Sequence, residues 1–271
     1  MRLFVAVMGV LPISAIFLAI AAQLLRAHAT GEQLLGDDTR LRIQATAREI
    51  GLLCSLGAFG WLFRYRRSRW RSNLPPTNPP VVLVGGALFS AVIPRWVQKV
   101  LEHRLGDRQI LVFSASRQGP VSTQDELHSW LERGMAVSGA KSVDLIGFGA
   151  GALAVLGLGH ERKLPIRRAM VVAPPLMGSR IGVFLHGPWG EALRSRFETF
   201  RKGRKLPTEL HLPRALRNQV LCLRGAEDAV YLPDETRGPA WLRSEDLLGV
   251  GHLGVMVAPT TIRRVVEELT R

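Results

Sequence analysis

The stretch from Val143 to Gly151 has the outline of a chemical device. An apolar, strand-like run, Val143-Asp144-Leu145-Ile146, leads into Gly147-Phe148-Gly149-Ala150-Gly151, and small residues follow. This is the outline of a nucleophile elbow, G-x-S-x-G, in which a strained strand-to-helix turn exposes a serine oxygen. Gly147 and Gly151 hold the flanking positions, but the nucleophile position is Gly149, which has no atom to attack with. Other reactive residue types are sparse. Cys54 and Cys222 lie far apart in apolar stretches without CxxC spacing, and they read as buried, inert thiols. His103, His128, His160, His186 and His211 lack ligand spacing and read as surface or packing residues, so neither a metal nor a cofactor is expected.

The elements that must position such a turn follow from the hydropathy pattern. Beyond Pro75-Pro76-Thr77-Asn78-Pro79-Pro80, a stiff linker placed at 73–80, short apolar runs alternate with helical stretches. The runs are Val81–Val84, Ile110–Phe113, Val143–Ile146, Ala169–Val172 and Val220–Leu223. Short continuous apolar runs bounded by turn residues suit interior strands of a parallel sheet. Pro94 to Leu105, Gln124 to Val137 and Thr261 to Leu269 are the helix candidates, the second carrying Leu127, Trp130, Leu131 and Met135 at helical spacing. The prediction is an α/β domain over 81–271, a mostly parallel sheet flanked by helices. One region interrupts the alternation. About 174–218 has no clear strand and crowds Arg194, Arg196, Arg201, Lys202, Arg204 and Lys205, and it reads as a cap inserted over the carboxyl edge of the sheet. Those cations serve as a solvated face or as a second basic patch turned to a membrane.

Residues 1–72 have a different character. Leu3 to Leu25 carries no charge and is long enough to cross a bilayer as a helix. A cleaved signal peptide ending near Ala27-His28-Ala29 is the competing reading, against which the apolar run is long. A second apolar run, Ile50 to Phe63, has the length of a short span or of a buried or interfacial helix. Arg64, Arg66, Arg67, Arg69 and Arg71 follow within eight residues, with Tyr65 and Trp70 expected at headgroup level. The positive-inside rule holds this cluster in the cytoplasm, and a two-helix hairpin leaves the C-terminal domain on that side. The chain is therefore expected at a membrane, with the net charge of +14 directed at an anionic lipid surface. The arginines fix topology in either case. No nucleic-acid partner is expected, because no zinc-finger, RRM or helix-turn-helix pattern accompanies the charge.

Residues 79 to 271 resemble the α/β-hydrolase family, in particular its lipases and esterases. The carriers are Gly139 to Gly147 before the elbow, Leu223-Arg224-Gly225-Ala226-Glu227-Asp228 at the end of a strand, and Gly249-Val250-Gly251-His252-Leu253-Gly254. The order elbow, acid, histidine and the cap between elbow and acid match the family. The resemblance implies that Asp228 and His252 are the acid and base of a triad whose nucleophile is missing at Gly149. It further implies oxyanion-type backbone donors at Ala150 and at Gly86 or Ala87. Val84-Gly85-Gly86 departs from the His-Gly that the family commonly places there.

Two functions compete. One is a membrane-anchored, non-hydrolytic protein that binds a lipid or acyl ligand, or a protein partner, in the former active-site cleft. The other is an active carboxylic-ester hydrolase, with His252 activating water or with a displaced nucleophile at Ser114, Ser116 or Ser179. A basic membrane-surface adaptor whose cleft is idle is a third class.

Overall fold

The computed structural model describes residues 39–59, 68–72, 78–85, 92–114, 120–161, 164–176, 220–228, 230, 236, 238 and 242–271. Leu3–Leu25, Arg64, Arg66, Arg67, Gly86, Ala87, Ser116, Ser179 and nearly all of the expected cap lie outside them. The elements run α1 (Thr39–Phe59), β1 (Val81–Val84), α2 (Val92–Leu105), β2 (Ile110–Phe113), α3 (Pro120–Ser138), β3 (Val143–Phe148), α4 (Ala150–Glu161), β4 (Ile166–Val172), β5 (Val220–Gly225), β6 (Arg243–Leu247), α5 (His252–Val257) and α6 (Pro259–Thr270).

The six strands form one sheet in the order β2-β1-β3-β4-β5-β6, and every neighbouring pair is parallel. Period-two alternation sorts the strand side chains onto its two faces. Val81, Leu83, Ile146, Met170 and Leu221 face one apolar layer, closed by Val97 and Leu101 of α2, Val255 and Met256 of α5, and Ile262 and Val265 of α6. Val82, Val84, Leu145, Val171 and Cys222 face the other, closed by Leu127, Trp130 and Leu131 of α3 and Val155, Leu156 and Leu158 of α4. Burial on both faces is why these strands are continuous apolar runs in the sequence.

Strand β6 escapes that rule. Its sequence, Arg243-Ser244-Glu245-Asp246-Leu247, is charged because it is an edge strand with solvent on its far side. Its charges pair across the surface, Glu245 with Arg264 at 2.6 Å and Asp246 with Arg224 at 2.7 Å.

The N-terminal segments are arranged differently from the sequence expectation. The polar stretch ending at Glu49 and the apolar run beginning at Ile50 belong to one helix, α1. Ala45, Glu49 and Leu52, at i, i+4 and i+7, share a face, with Ala45 buried and Leu52 packed on the core, and α1 lies against α5. No helix among the described residues is long and apolar enough to cross a membrane. Residues 68–72, assigned by sequence to the membrane segment, pack on the sheet. Ser68 N–H donates to Val112 O and Val112 N–H donates to Ser68 Oγ, both at 2.9 Å, so this segment covers the open edge of β2. Trp70, expected at headgroup level, sits with its ring centroid 5.1 Å from that of Trp130. Arg69 and Arg71 remain exposed.

Candidate functional site

The site is assembled at the carboxyl ends of β3, β5 and β6, where ligands bind in open parallel sheets. Gly149 occupies the single residue between β3 and α4 and has φ +53°, the left-handed conformation. Its N–H donates to Val172 O at 2.9 Å and its carbonyl accepts from Ala152 N–H at 3.0 Å, which pins the turn to β4 and to the first turn of α4. The flanking glycines are there for space. A Cβ on Gly147 would lie 2.5 Å from Ala152 Cα, and one on Gly151 would lie 2.5 Å from Val84 O. The turn is thus as tight as an elbow requires, and Ala150 is the first residue of the helix behind it.

Asp228 follows β5 and is 1% exposed. Its Oδ1 accepts from Val230 N–H at 2.8 Å, and its Oδ2 lies 2.9 Å from His252 Nδ1. His252 opens α5, which follows β6 through the turn Leu248–Gly251. The two residues implied by resemblance as acid and base are therefore in hydrogen-bond contact across 24 positions of sequence. Burial pushes the imidazole pKa down, but the Asp228 charge, its hydrogen bond and the Glu49 charge outweigh it and hold His252 above its ordinary value. Met256, one helical turn beyond His252 on the same face of α5, has its Cε 3.3 Å from where a Cβ on Gly149 would stand. That contact turns the His252 face of α5 toward the elbow.

Sequence reasoning missed the clamp that holds this histidine. Glu49 of α1 reaches the start of α5, accepting from Leu253 N–H at 2.9 Å and from Gly254 N–H at 2.6 Å. Arg48 donates to Gly249 O at 2.9 Å. Burial pushes the Glu49 carboxyl above its ordinary value, against the pull of the two backbone hydrogen bonds and of His252. The separation is 204 residues, and nothing in the local sequence around Arg48-Glu49 marks it as a partner of the His252 loop.

Other candidates are not brought to the site. Ser114 follows β2, two strands away from β3, so about 10 Å of sheet separates it from the elbow, on the side away from β5 and β6. Cys222 lies inside β5, its thiol pushed up to about 12, chiefly by burial. His103 is exposed and His128 is buried beside Glu132. No group of His, Cys, Asp or Glu that could hold a metal ion occurs among the described residues.

Against solved structures, the chain matches a lipase of Bacillus licheniformis, BlEst2, in its propeptide form with 13% identity and a TM-score of 0.58. That match covers 76% of this chain, which spans only 53% of the lipase's propeptide form. The mature form matches at 14% identity and TM-score 0.54, over 74% of this chain and 96% of that one. An α/β-hydrolase fold protein of Burkholderia ambifaria matches at 14% identity and TM-score 0.55, with the same two coverages. No protein-family model and no curated protein matches the sequence. The chain has an α/β-hydrolase fold, structurally similar to lipases and esterases at low identity.

Proposed function

We propose that this protein is a non-hydrolytic member of the lipase- and esterase-like structures, which holds a lipid or acyl ligand, or a protein partner, in the cleft at the elbow. One observation carries the reading. Gly149 stands at the left-handed residue of the strand-to-helix turn, while the Asp228–His252 pair at the carboxyl end of the same sheet is intact. Attack on an ester carbonyl needs an oxygen or sulfur at that turn, and the imidazole serves only to take its proton. Without the hydroxyl no acyl-enzyme bond forms, yet the helix N-terminus at Ala150 and a charged-side-prone imidazole still favour a polar acyl head. In this reading an apolar tether at residues 3–25 would hold the domain at a membrane, and the arginines of 64–71 would meet its anionic lipids.

The intact pair also favours a second reading, in which His252 activates water directly. General-base help of this kind supplies about 10²–10⁴ in rate. The two readings separate in one assay. The full chain, in detergent, is given p-nitrophenyl esters of several lengths, alongside Gly149→Ser and His252→Ala. No turnover is expected from the parent, with some restored in Gly149→Ser. Saturable uptake of the fluorescent acyl probe cis-parinaric acid is expected from both. Parent turnover that His252→Ala abolishes refutes the non-hydrolytic reading, and covalent labelling of the parent by a fluorophosphonate points to a displaced serine.

A further inference from the structure

The far edge of the sheet carries a cleft. It lies between residues 68–71, α2 and the turn leading into β2, with a volume of about 640 Å³. Gln109 and Ile110 mark the amino end of β2, whereas Gly149, Asp228 and His252 lie beyond carboxyl ends of the strands. The cleft is therefore distinct from the elbow site, and its volume is in the range of small-molecule pockets.

We propose that this cleft binds a phosphate ester that carries free hydroxyls, such as a glycerol-phosphate headgroup. Arg69, Arg71 and Arg95 line it. Among the described residues Arg69 and Arg71 make no ion pair, and both are exposed. Arg95 is oriented by its hydrogen bonds to Ser68 Oγ at 3.2 Å and Gln98 Oε1 at 2.8 Å. The fourth guanidinium, Arg108, is committed by hydrogen bonds to the buried Asp144 and to Pro79 O, but Asp144 also pairs with Arg167, so a net positive charge remains beside the cleft. A guanidinium fork matches the oxygens of a phosphate, and several around one cavity make an anion site.

The remaining lining narrows the class. Glu102 and Asp107 also line it; Glu102 already accepts from Gln98 Nε2 at 2.8 Å, and the two carboxylates offer remaining lone pairs to hydroxyl groups and repel a second phosphate. One phosphate with hydroxyls fits this mixture, and a polyphosphate does not. Apart from Gly106, Ile110 and Leu111 the lining is polar, so an acyl chain has little wall to lie on. Two sources supply this chemistry, a membrane lipid headgroup and a soluble polyol phosphate. The lipid has proximity in its favour, because Arg69 and Arg71 continue the run that begins at Arg64.

The test is calorimetry on the full chain in dodecyl maltoside, with dihexanoyl phosphatidylglycerol, dihexanoyl phosphatidylcholine and glycerol 3-phosphate as probes. Saturable binding of the phosphatidylglycerol is expected, with the choline lipid, which lacks headgroup hydroxyls, weaker by about tenfold. Arg69→Gln/Arg71→Gln, both exposed and outside the core, should lose tenfold or more, at about 1 kcal/mol for each arginine near a headgroup. The exposed Arg263→Gln should bind like the parent. Glycerol 3-phosphate binding as tightly as the lipid upholds the site and assigns it a soluble ligand. Absence of saturable binding to both phosphate probes that carry hydroxyls, or equal binding by Arg69→Gln/Arg71→Gln, overturns the proposal. None of these readouts depends on the chemistry at Gly149.

Discussion

Replacing Glu49 by Ala tests whether a helix far outside the sheet supports the His252 loop. The carboxylate accepts two backbone N–H groups, and Leu253 and Gly254 are buried, so water cannot readily replace it. A hydrogen bond to a charged group contributes about 1.5–3 kcal/mol, which makes roughly 3–6 kcal/mol for the pair. Against this stands the cost of burying the carboxylate, several kcal/mol by general experience and visible here as a pKa raised by burial. Burial outweighs the hydrogen bonds for the ionised form, so the loss on truncation comes from the two buried N–H donors left without an acceptor, about 2 kcal/mol net. For a chain of this size each kcal/mol moves Tm by about 2–4 °C, so Glu49→Ala should melt about 4–8 °C lower. Glu49→Gln should fall between the two, because its amide oxygen accepts one N–H while its NH₂ confronts the other. The same substitution removes a negative charge that raises the His252 pKa, so the imidazole should titrate lower in Glu49→Ala. Differential scanning fluorimetry reads the first effect and long-range ¹H–¹⁵N NMR of the imidazole reads the second. A variant that melts within about 1 °C of the parent and leaves the His252 titration unmoved would refute the clamp.

The raised His252 pKa also gives a pH dependence: the folded state binds the proton more tightly, so this contribution is full below about pH 6.5 and disappears as pH rises through the folded value. Denaturant midpoints from pH 6 to 9 should show that loss in the parent, and Asp228→Asn should shrink it. Asp144→Asn should cost about 3 kcal/mol, because it strips a buried carboxylate from Arg108 and Arg167; urea unfolding measures it, and a cost under about 1 kcal/mol would contradict the ion-pair account. A chain beginning at Asn73 loses Glu49, the Ser68 bonds to Val112 and the Trp70–Trp130 contact together, so it should be less stable than Glu49→Ala alone, as thermal melts of the two would compare.

Much of the architecture can be read from the chain because burial on both faces demands continuous apolar runs. Val81–Val84 and Ile110–Phe113 are bounded in the fold as in the sequence, while β4 extends back to Ile166 and β5 on to Gly225, through half-buried residues that the apolar criterion passes over. The absence of a hydroxyl at 149 and the glycines beside it are likewise matters of residue identity. Contacts decided the rest. Strand β6 has no apolar signature, since an edge strand is held by its neighbour and by ion pairs. The 2.9 Å approach of His252 to Asp228 exists only because β5 and β6 are adjacent and parallel. Glu49 meets α5 from the far end of the chain, and a buried carboxylate on two backbone N–H groups leaves no periodic trace for a sequence to carry. Local patterns record burial; partners at long range are set by packing alone.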